Sequence, residues 1–197
     1  MDDPLGVAVG NACEIIESID VLSGDGPEDV RELTLLMASH MVFMGGAAKS
    51  VDDARHMCEN ALKNGSAIAK FKEMIAAQGG NPACVDDLSL FPRAAHEMHV
   101  CADRDGIVQS IDSTAIGMAG VVLGAGRRAV ADAVDPGVSL FIRKKTGDRV
   151  HAGEPLVEIL YNDASSLDDA AARIRNAYTI GDNPARPAPL VHEIIHG

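Results

Sequence analysis

Apolar positions in the first half of the chain recur every three or four residues, which is the spacing of one helix face. They predict helices over 11–22, 30–44, 51–63 and 67–78. Ser50 stands where an N-cap of the third helix belongs, and Asp53 follows it at the capping-box distance. Glycine pairs follow the second and fourth helices and end them. The first half is therefore predicted to be helical.

The second half changes to short runs in which apolar and polar residues alternate, as in strands. After a connector over 81–92, the pattern predicts strands over 97–101, 107–111, 138–142 and 155–161, and helices over 113–123 and 166–178. Asp103–Gly106 predicts a hairpin between the first two strands. Apolar residues over 190–195 favour a last strand. We expect an α/β (α+β) fold with a helical domain at 1–92 and a compact α/β domain at 93–197.

Composition narrows the classes of function. Hydrophobic residues make up 47% and charged residues 23% of the chain, as in ordinary globular proteins. The net charge of -12 argues against nucleic acid or an anionic membrane as partner, because both attract basic surfaces. A phosphate substrate is still possible, since one local basic pocket can bind it.

Two further features of the sequence bear on the cellular location of the protein. No apolar run approaches the roughly 20 residues of a membrane span, and no basic-then-apolar leader precedes the first helix. The four cysteines are scattered and do not form a metal or disulfide pattern. We therefore expect a cytoplasmic protein with reduced thiols and no membrane association.

Three groups of residues are candidates for binding or catalysis. Gly124–Arg128 combines glycines with arginines and could cradle a phosphate. It follows a helix and lacks the Lys-Ser/Thr of a P-loop, so a helix end with solvated arginines is the simpler interpretation. His96 and His99 should lie on opposite faces of a strand, which argues against a metal pair. No residue near His40 in the sequence forms a recognisable catalytic pair with it, so a structural histidine is the simpler interpretation.

The opening stretch, from Pro4 to Glu14, carries the most information. Gly6 and Gly10 interrupt an apolar run, and Asn11 stands just before the first helix. Backbone carbonyls before a helix, with carboxylates one or two turns inside it, can together hold a cation. The simpler alternative is a helix start with a solvated acidic face.

This stretch and several later motifs resemble the pyrimidine-nucleoside phosphorylase and thymidine phosphorylase family. The motifs are Pro4–Ala12 with Glu14 and Glu17, Gly24–Asp29, Phe71–Gly80, Leu123–Arg127 and Gly147–Leu156. They occur in order over almost the whole chain, which is more specific than any single glycine pattern. The resemblance covers only the C-terminal half of such enzymes.

The resemblance implies reversible phosphorolysis of uridine or thymidine, with phosphate as co-substrate. It implies a potassium site formed by the backbone carbonyls of Leu5 and Ala8 and the carboxylate of Glu17, completed by residues of the missing N-terminal half. The groups that bind phosphate and base also belong to that half. No catalytic residue is therefore expected in this chain, which should be inactive alone, while the intact enzyme should be a homodimer.

The resemblance further implies that the second domain is an α/β-hammerhead related to the barrel-sandwich of biotinyl and lipoyl domains. A non-catalytic binding or assembly module with such a sandwich is one alternative. Lys144 and Lys145 lack the context of a modified lysine and predict a solvated turn. Another alternative is part of a nucleoside-monophosphate phosphorylase, which only the missing half could distinguish.

Overall fold

The computed structural model describes residues 3–127 and 129–195, which form two compact units. The first unit contains the described chain up to Ile15 and Phe91–Pro189. The second contains Ile16–Leu90 and the tail from Leu190. Six α-helices and two antiparallel sheets lie within the described residues, so the predicted mixed α/β class is confirmed.

Four helices cover most of the first half of the chain. They are α1 (Ala12–Ser23), α2 (Glu28–Met44), α3 (Val51–Lys63) and α4 (Ser66–Ala77). Two 3-10 turns, Pro82–Val85 and Leu88–Leu90, follow them. The helical pattern of the sequence is thus confirmed, with small differences at the helix ends, where bounds are least well defined.

Helices α2 and α3 pair closely within the second unit. Ser50 caps α3, because its Oγ accepts a hydrogen bond from the Asp53 backbone N–H at 3.0 Å. Ala54 of α3 and Leu35 of α2 are buried, and the small alanine side chain permits a close approach. Arg55 of α3 donates to Glu32 of α2 at 2.6 Å and to Glu59 at 3.0 Å. These contacts fix one side of α2 against α3.

The first unit contains all the described strands. They are β1 (Ala8–Gly10), β2 (His96–Cys101), β3 (Gly106–Ile111), β4 (Ser139–Ile142), β5 (Arg149–Val150), β6 (Pro155–Tyr161) and β7 (Tyr178–Gly181). One sheet has the order β1-β4-β6-β2 and the other β5-β3-β7, with antiparallel neighbours throughout. Two helices, α5 (Ser113–Leu123) and α6 (Leu167–Ala177), complete the unit.

A single apolar cluster joins both sheets and both helices of this unit. Its fully buried members include Val100, Val108, Ile116, Leu140, Val150, Val157, Ile159 and Ile174. Tyr178 is buried beside them, and its hydroxyl donates to the Lys144 carbonyl at 3.0 Å. The core is built from branched aliphatic residues, as the scarcity of aromatic residues requires.

Two predicted features of the strands are wrong. Asp103–Gly106 does not form a hairpin, because β2 pairs with β6 whereas β3 pairs with β5 and β7. The turn instead carries the chain from one sheet to the other. Residues 190–195 contain no strand, and the last strand is β7, which starts directly after α6. Strand partners lie far away in the sequence, so a local pattern does not reveal them.

Candidate functional site

The opening segment forms an edge of the four-stranded sheet. Gly6 has a φ of 67°, in the left-handed region that favours glycine, and turns the chain into β1. Among the described strands, β1 pairs with β4 alone, with Ala8 opposite Phe141. The Ile142 N–H donates to the Val7 carbonyl at 2.8 Å. Because carbonyls alternate along a strand, the Ala8 carbonyl points away from β4.

Hydrogen bonds connect the start of α1 to the preceding strand and to the residues that follow α5. The Gly10 N–H donates to Glu14 Oε1 at 2.8 Å, which ties the first turn of the helix to the preceding strand. Asn11 Nδ2 donates to the Ala125 carbonyl at 2.6 Å. A side chain at Gly10 would meet the Val138 carbonyl oxygen at 2.7 Å, so the close approach requires glycine. The backbone before α1 is therefore held in one conformation.

Burial also affects the chemistry of Cys13, which lies in the first turn of α1. The Cys13 side chain is buried and its thiol is free. Burial raises the pKa of the Cys13 thiol, while a hydrogen bond to Ser139 lowers it by less. A thiol with a raised pKa carries little thiolate at neutral pH, so Cys13 is a packing residue rather than a nucleophile.

The three residues predicted to bind potassium lie on different parts of this region. Leu5 is half-buried before β1, and Ala8 is buried within it. Glu17 is half-buried on α1. Leu5 and Ala8 belong to the first unit and Glu17 to the second. Carbonyl and carboxylate oxygens are ligands that a hard cation accepts, so these residue types are compatible with the predicted role.

The glycine–arginine stretch closes a helix. Gly124 has a φ of 102° and forms the C-cap of α5, and its N–H donates to the Val121 carbonyl at 3.1 Å. The C-terminal end of a helix is its negative end, which disfavours phosphate. Arg127 is exposed, and Arg128 lies outside the described residues. Ala125 instead serves to anchor Asn11 of the opening segment.

The lysines of the predicted solvated turn have structural partners. Lys144 Nζ forms an ion pair with Glu154 Oε1 at 2.5 Å, and this pair lowers the pKa of the Glu154 carboxyl. The Lys145 backbone N–H donates to Asp148 Oδ2 at 2.8 Å. Lys144 therefore stabilises the loop before β5.

Three side chains on the four-stranded sheet form a cluster that the sequence interpretation missed. Glu97 and His99 lie on β2, and Glu158 lies beside them on β6. The sequence feature that could have revealed two of its members is the Glu-x-His pair on a predicted strand, because residues two apart on a strand share a face. The third member came from a distant strand, whose pairing was not predicted.

The second unit has an apolar groove lined by α2 and the tail. Its volume is about 460 Å³. The lining residues are Leu33, Leu36, Met37, His40, Met41, Met44, Leu190, Val191, Glu193 and Ile194. Met37, Met41 and Met44, which we call the methionine face, are 58%, 67% and 75% exposed. A row of exposed methionines is typical of a surface that packs against another polypeptide.

No helix in the described ranges is both long and apolar enough to cross a lipid bilayer.

Comparisons with known proteins identify relatives along the whole chain. Residues 107–181 match the family model described as "Pyrimidine nucleoside phosphorylase C-terminal domain". Over 195 residues, or 99% of the chain, the sequence is 43% identical to a pyrimidine-nucleoside phosphorylase of Geobacillus stearothermophilus. It is 42% identical to that of Bacillus subtilis and 38% identical to that of Staphylococcus epidermidis over the same length. The chain spans 45% of the length of each of these relatives.

Proposed function

Because this chain is homologous to pyrimidine-nucleoside phosphorylases along nearly its whole length, we propose that it acts as the C-terminal portion of such an enzyme. The proposed reaction is reversible phosphorolysis, in which phosphate displaces uracil or thymine from uridine or thymidine. The products are the free base and ribose 1-phosphate or deoxyribose 1-phosphate. The observation that supports this proposal most strongly is the 43% identity over 195 residues, rather than any single motif.

The chemistry itself is proposed to take place on the part of the enzyme that the relatives contain and that this sequence does not span. Phosphorolysis requires that phosphate is positioned and that charge developing on the base is stabilised, which are tasks of orientation and electrostatics. Within the described glycine–arginine stretch, Gly124 ends a helix and the Ala125 carbonyl binds Asn11 of the opening segment. We therefore propose that this chain is inactive alone and supplies the scaffold beside the site.

The opening segment is proposed to contribute to a potassium site. The Leu5 and Ala8 carbonyls and the Glu17 carboxylate would be its ligands in this chain, with further ligands on the missing half. The fixed conformation of the backbone before α1 supports this role. A monovalent cation bound there would offset negative charge near the phosphate.

The potassium proposal is testable in the assembled enzyme. Glu17→Gln should raise the potassium concentration that gives half-maximal phosphorolysis, because the amide attracts a cation less strongly than a carboxylate does. Glu28→Gln, which alters an exposed carboxylate on α2, is the matched control and should leave that concentration unchanged. An unchanged potassium dependence in Glu17→Gln would rule the residue out as a ligand.

The methionine face is proposed to pack against the missing N-terminal half. Its three side chains are exposed and adjacent on one helix, as in a contact surface, and the relatives contain additional polypeptide that could cover them. We propose in addition that the complete assembly is a homodimer. Light scattering of the assembled protein should give the mass of two complete enzymes, and a mass of one would contradict the dimer.

The first unit is proposed to be an α/β-hammerhead related to biotinyl and lipoyl barrel-sandwich domains. Support comes from its two antiparallel sheets, which share one apolar core with α5 and α6. An experimental structure of the chain, superposed on such domains, would test this relation. A sandwich with a different strand order would contradict it.

A chimera tests the functional proposal. The C-terminal portion of the Geobacillus stearothermophilus relative would be replaced by this chain, and ultraviolet absorbance would follow phosphorolysis of uridine and thymidine. The proposal predicts activity that is absent from the same relative truncated before this portion. A folded chimera that cleaves neither nucleoside would overturn it. Cleavage of a nucleoside monophosphate alone would favour the nucleoside-monophosphate phosphorylase alternative.

A further inference from the structure

Glu97, His99 and Glu158 lie on one face of two neighbouring strands. Glu97 and His99 are two residues apart on β2, so their side chains point to the same side. Glu158 on β6 is the cross-strand partner of His99 in the register of the sheet. Side chains of such cross-strand partners have closely spaced Cβ atoms, which brings the imidazole and the carboxylate together.

The geometry points to a divalent transition-metal site, and we propose that these three residues bind an ion such as Zn²⁺. One ligand atom from each residue lies within 4.8 Å of the others. His99 Nε2 is 3.3 Å from Glu97 Oε1, which is close to the separation of two ligands on one ion. One imidazole nitrogen and two carboxylate oxygens are ligands that Zn²⁺ accepts, with water filling the remaining position.

Small side-chain rotations suffice to close the site. The His99 and Glu97 side chains are 44% and 50% exposed, so they can turn without displacing packed neighbours. Glu158 is more enclosed, with a side chain 14% exposed, and provides a fixed ligand. The strands themselves need not move.

Arg143 contacts this cluster through Glu158. Its Nε and Nη2 both donate to Glu158 Oε2, which leaves Oε1 as the ligand oxygen. An outer partner that holds a ligating carboxylate in place is a usual feature of metal sites. The guanidinium also lies 5.5 Å from the centre of the Phe141 ring, which keeps it beside β4. The two carboxylates outnumber the one arginine of this cluster, and negative charge of this kind attracts a divalent cation.

Isothermal titration of the whole chain with ZnCl₂, after treatment with a chelator that is then removed, tests the proposal. The expected result is one saturable site per chain, weakened at least tenfold in His99→Gln and in Glu97→Gln. His96→Gln is the matched control, because His96 lies on the same strand but packs against Tyr161 on the other face. It should bind as the unaltered chain does.

Two results would overturn the proposal. One is the absence of saturable Zn²⁺ binding by the unaltered chain. The other is binding of equal strength in His99→Gln, which would place the ion on other residues such as the cysteines. Circular dichroism of each variant shows whether it is folded, and Zn²⁺ should raise the thermal unfolding midpoint of the unaltered chain but not of folded His99→Gln.

Discussion

At the scale of single residues, the close packing around Gly10 explains why the opening segment has a glycine at this position. A Cβ at this position would lie 2.7 Å from the Val138 carbonyl oxygen and 2.9 Å from Cys13 Sγ. Gly10→Ala should therefore force a backbone shift between β1 and β4 and lower the free energy of unfolding by about 1–3 kcal/mol. Urea denaturation followed by circular dichroism measures the change.

Gly117→Ala is the matched control for that substitution. Gly117 lies inside α5, and a Cβ there would meet no atom within 4 Å. Alanine favours a helix interior over glycine by up to about 1 kcal/mol, so this variant should be as stable as the unaltered chain or more stable. A Gly10→Ala variant as stable as Gly117→Ala would contradict the close approach.

Tyr178 gives a prediction about pH. Burial, helped by Asp148 and Asp3, raises the pKa of the Tyr178 hydroxyl well above its ordinary value. Below the unfolded pKa of about 10, the hydroxyl is neutral in both states and contributes fully to the free energy of unfolding. As the pH rises further, the hydroxyl of the unfolded chain ionises first and this contribution is lost. Tyr178→Phe should lower the free energy of unfolding by about 1 kcal/mol at neutral pH, since the Lys144 carbonyl loses its donor.

The pH dependence separates this hydroxyl from simple packing. Above about pH 10, the free energy of unfolding should fall less steeply with pH in Tyr178→Phe than in the unaltered chain. Urea denaturation over a pH series measures both slopes. Equal slopes would show that the hydroxyl does not resist ionisation in the folded protein.

At the scale of elements, α3 depends on its N-cap. The Ser50 Oγ satisfies the Asp53 N–H, which has no partner within the helix. Ser50→Ala should lower the free energy of unfolding by about 1 kcal/mol, whereas Ser50→Asp keeps a capping oxygen and should retain most of the stability. Equal losses in the two variants, measured by thermal unfolding, would show that the cap is not the cause.

The elements also show what the sequence can and cannot reveal. Helix α3 and strand β6 begin and end where the pattern predicts, because caps, glycines and apolar spacing are local signals. The hairpin at Asp103–Gly106 was wrong, since the chain passes there between sheets whose other strands come from distant segments. The same limit hid the cluster of Glu97, His99 and Glu158, which depends on the pairing of β2 with β6.

At the scale of the whole molecule, we expect the methionine face to contact the N-terminal portion that the relatives contain. A Met41→Lys/Met44→Lys double variant should bind a separately expressed N-terminal half of the Geobacillus stearothermophilus relative at least tenfold more weakly, because lysine ammonium groups resist burial. Met57→Lys, which changes an exposed methionine of α3, is the matched control and should bind normally. Titration calorimetry measures the affinities. Equal affinities of the double variant and the control would place the contact elsewhere.

We expect this chain to be one portion of a phosphorolytic enzyme and to need the other portion for activity. The most direct test follows uridine and thymidine phosphorolysis by ultraviolet absorbance, with phosphate and potassium present. The chain would be assayed alone and after mixing with the N-terminal half of the Geobacillus stearothermophilus relative, which would also be assayed alone. We expect activity only in the mixture. Activity of this chain by itself would contradict the claim that its catalytic groups lie elsewhere, and a complex of the two portions that cleaves neither nucleoside would contradict the phosphorylase function.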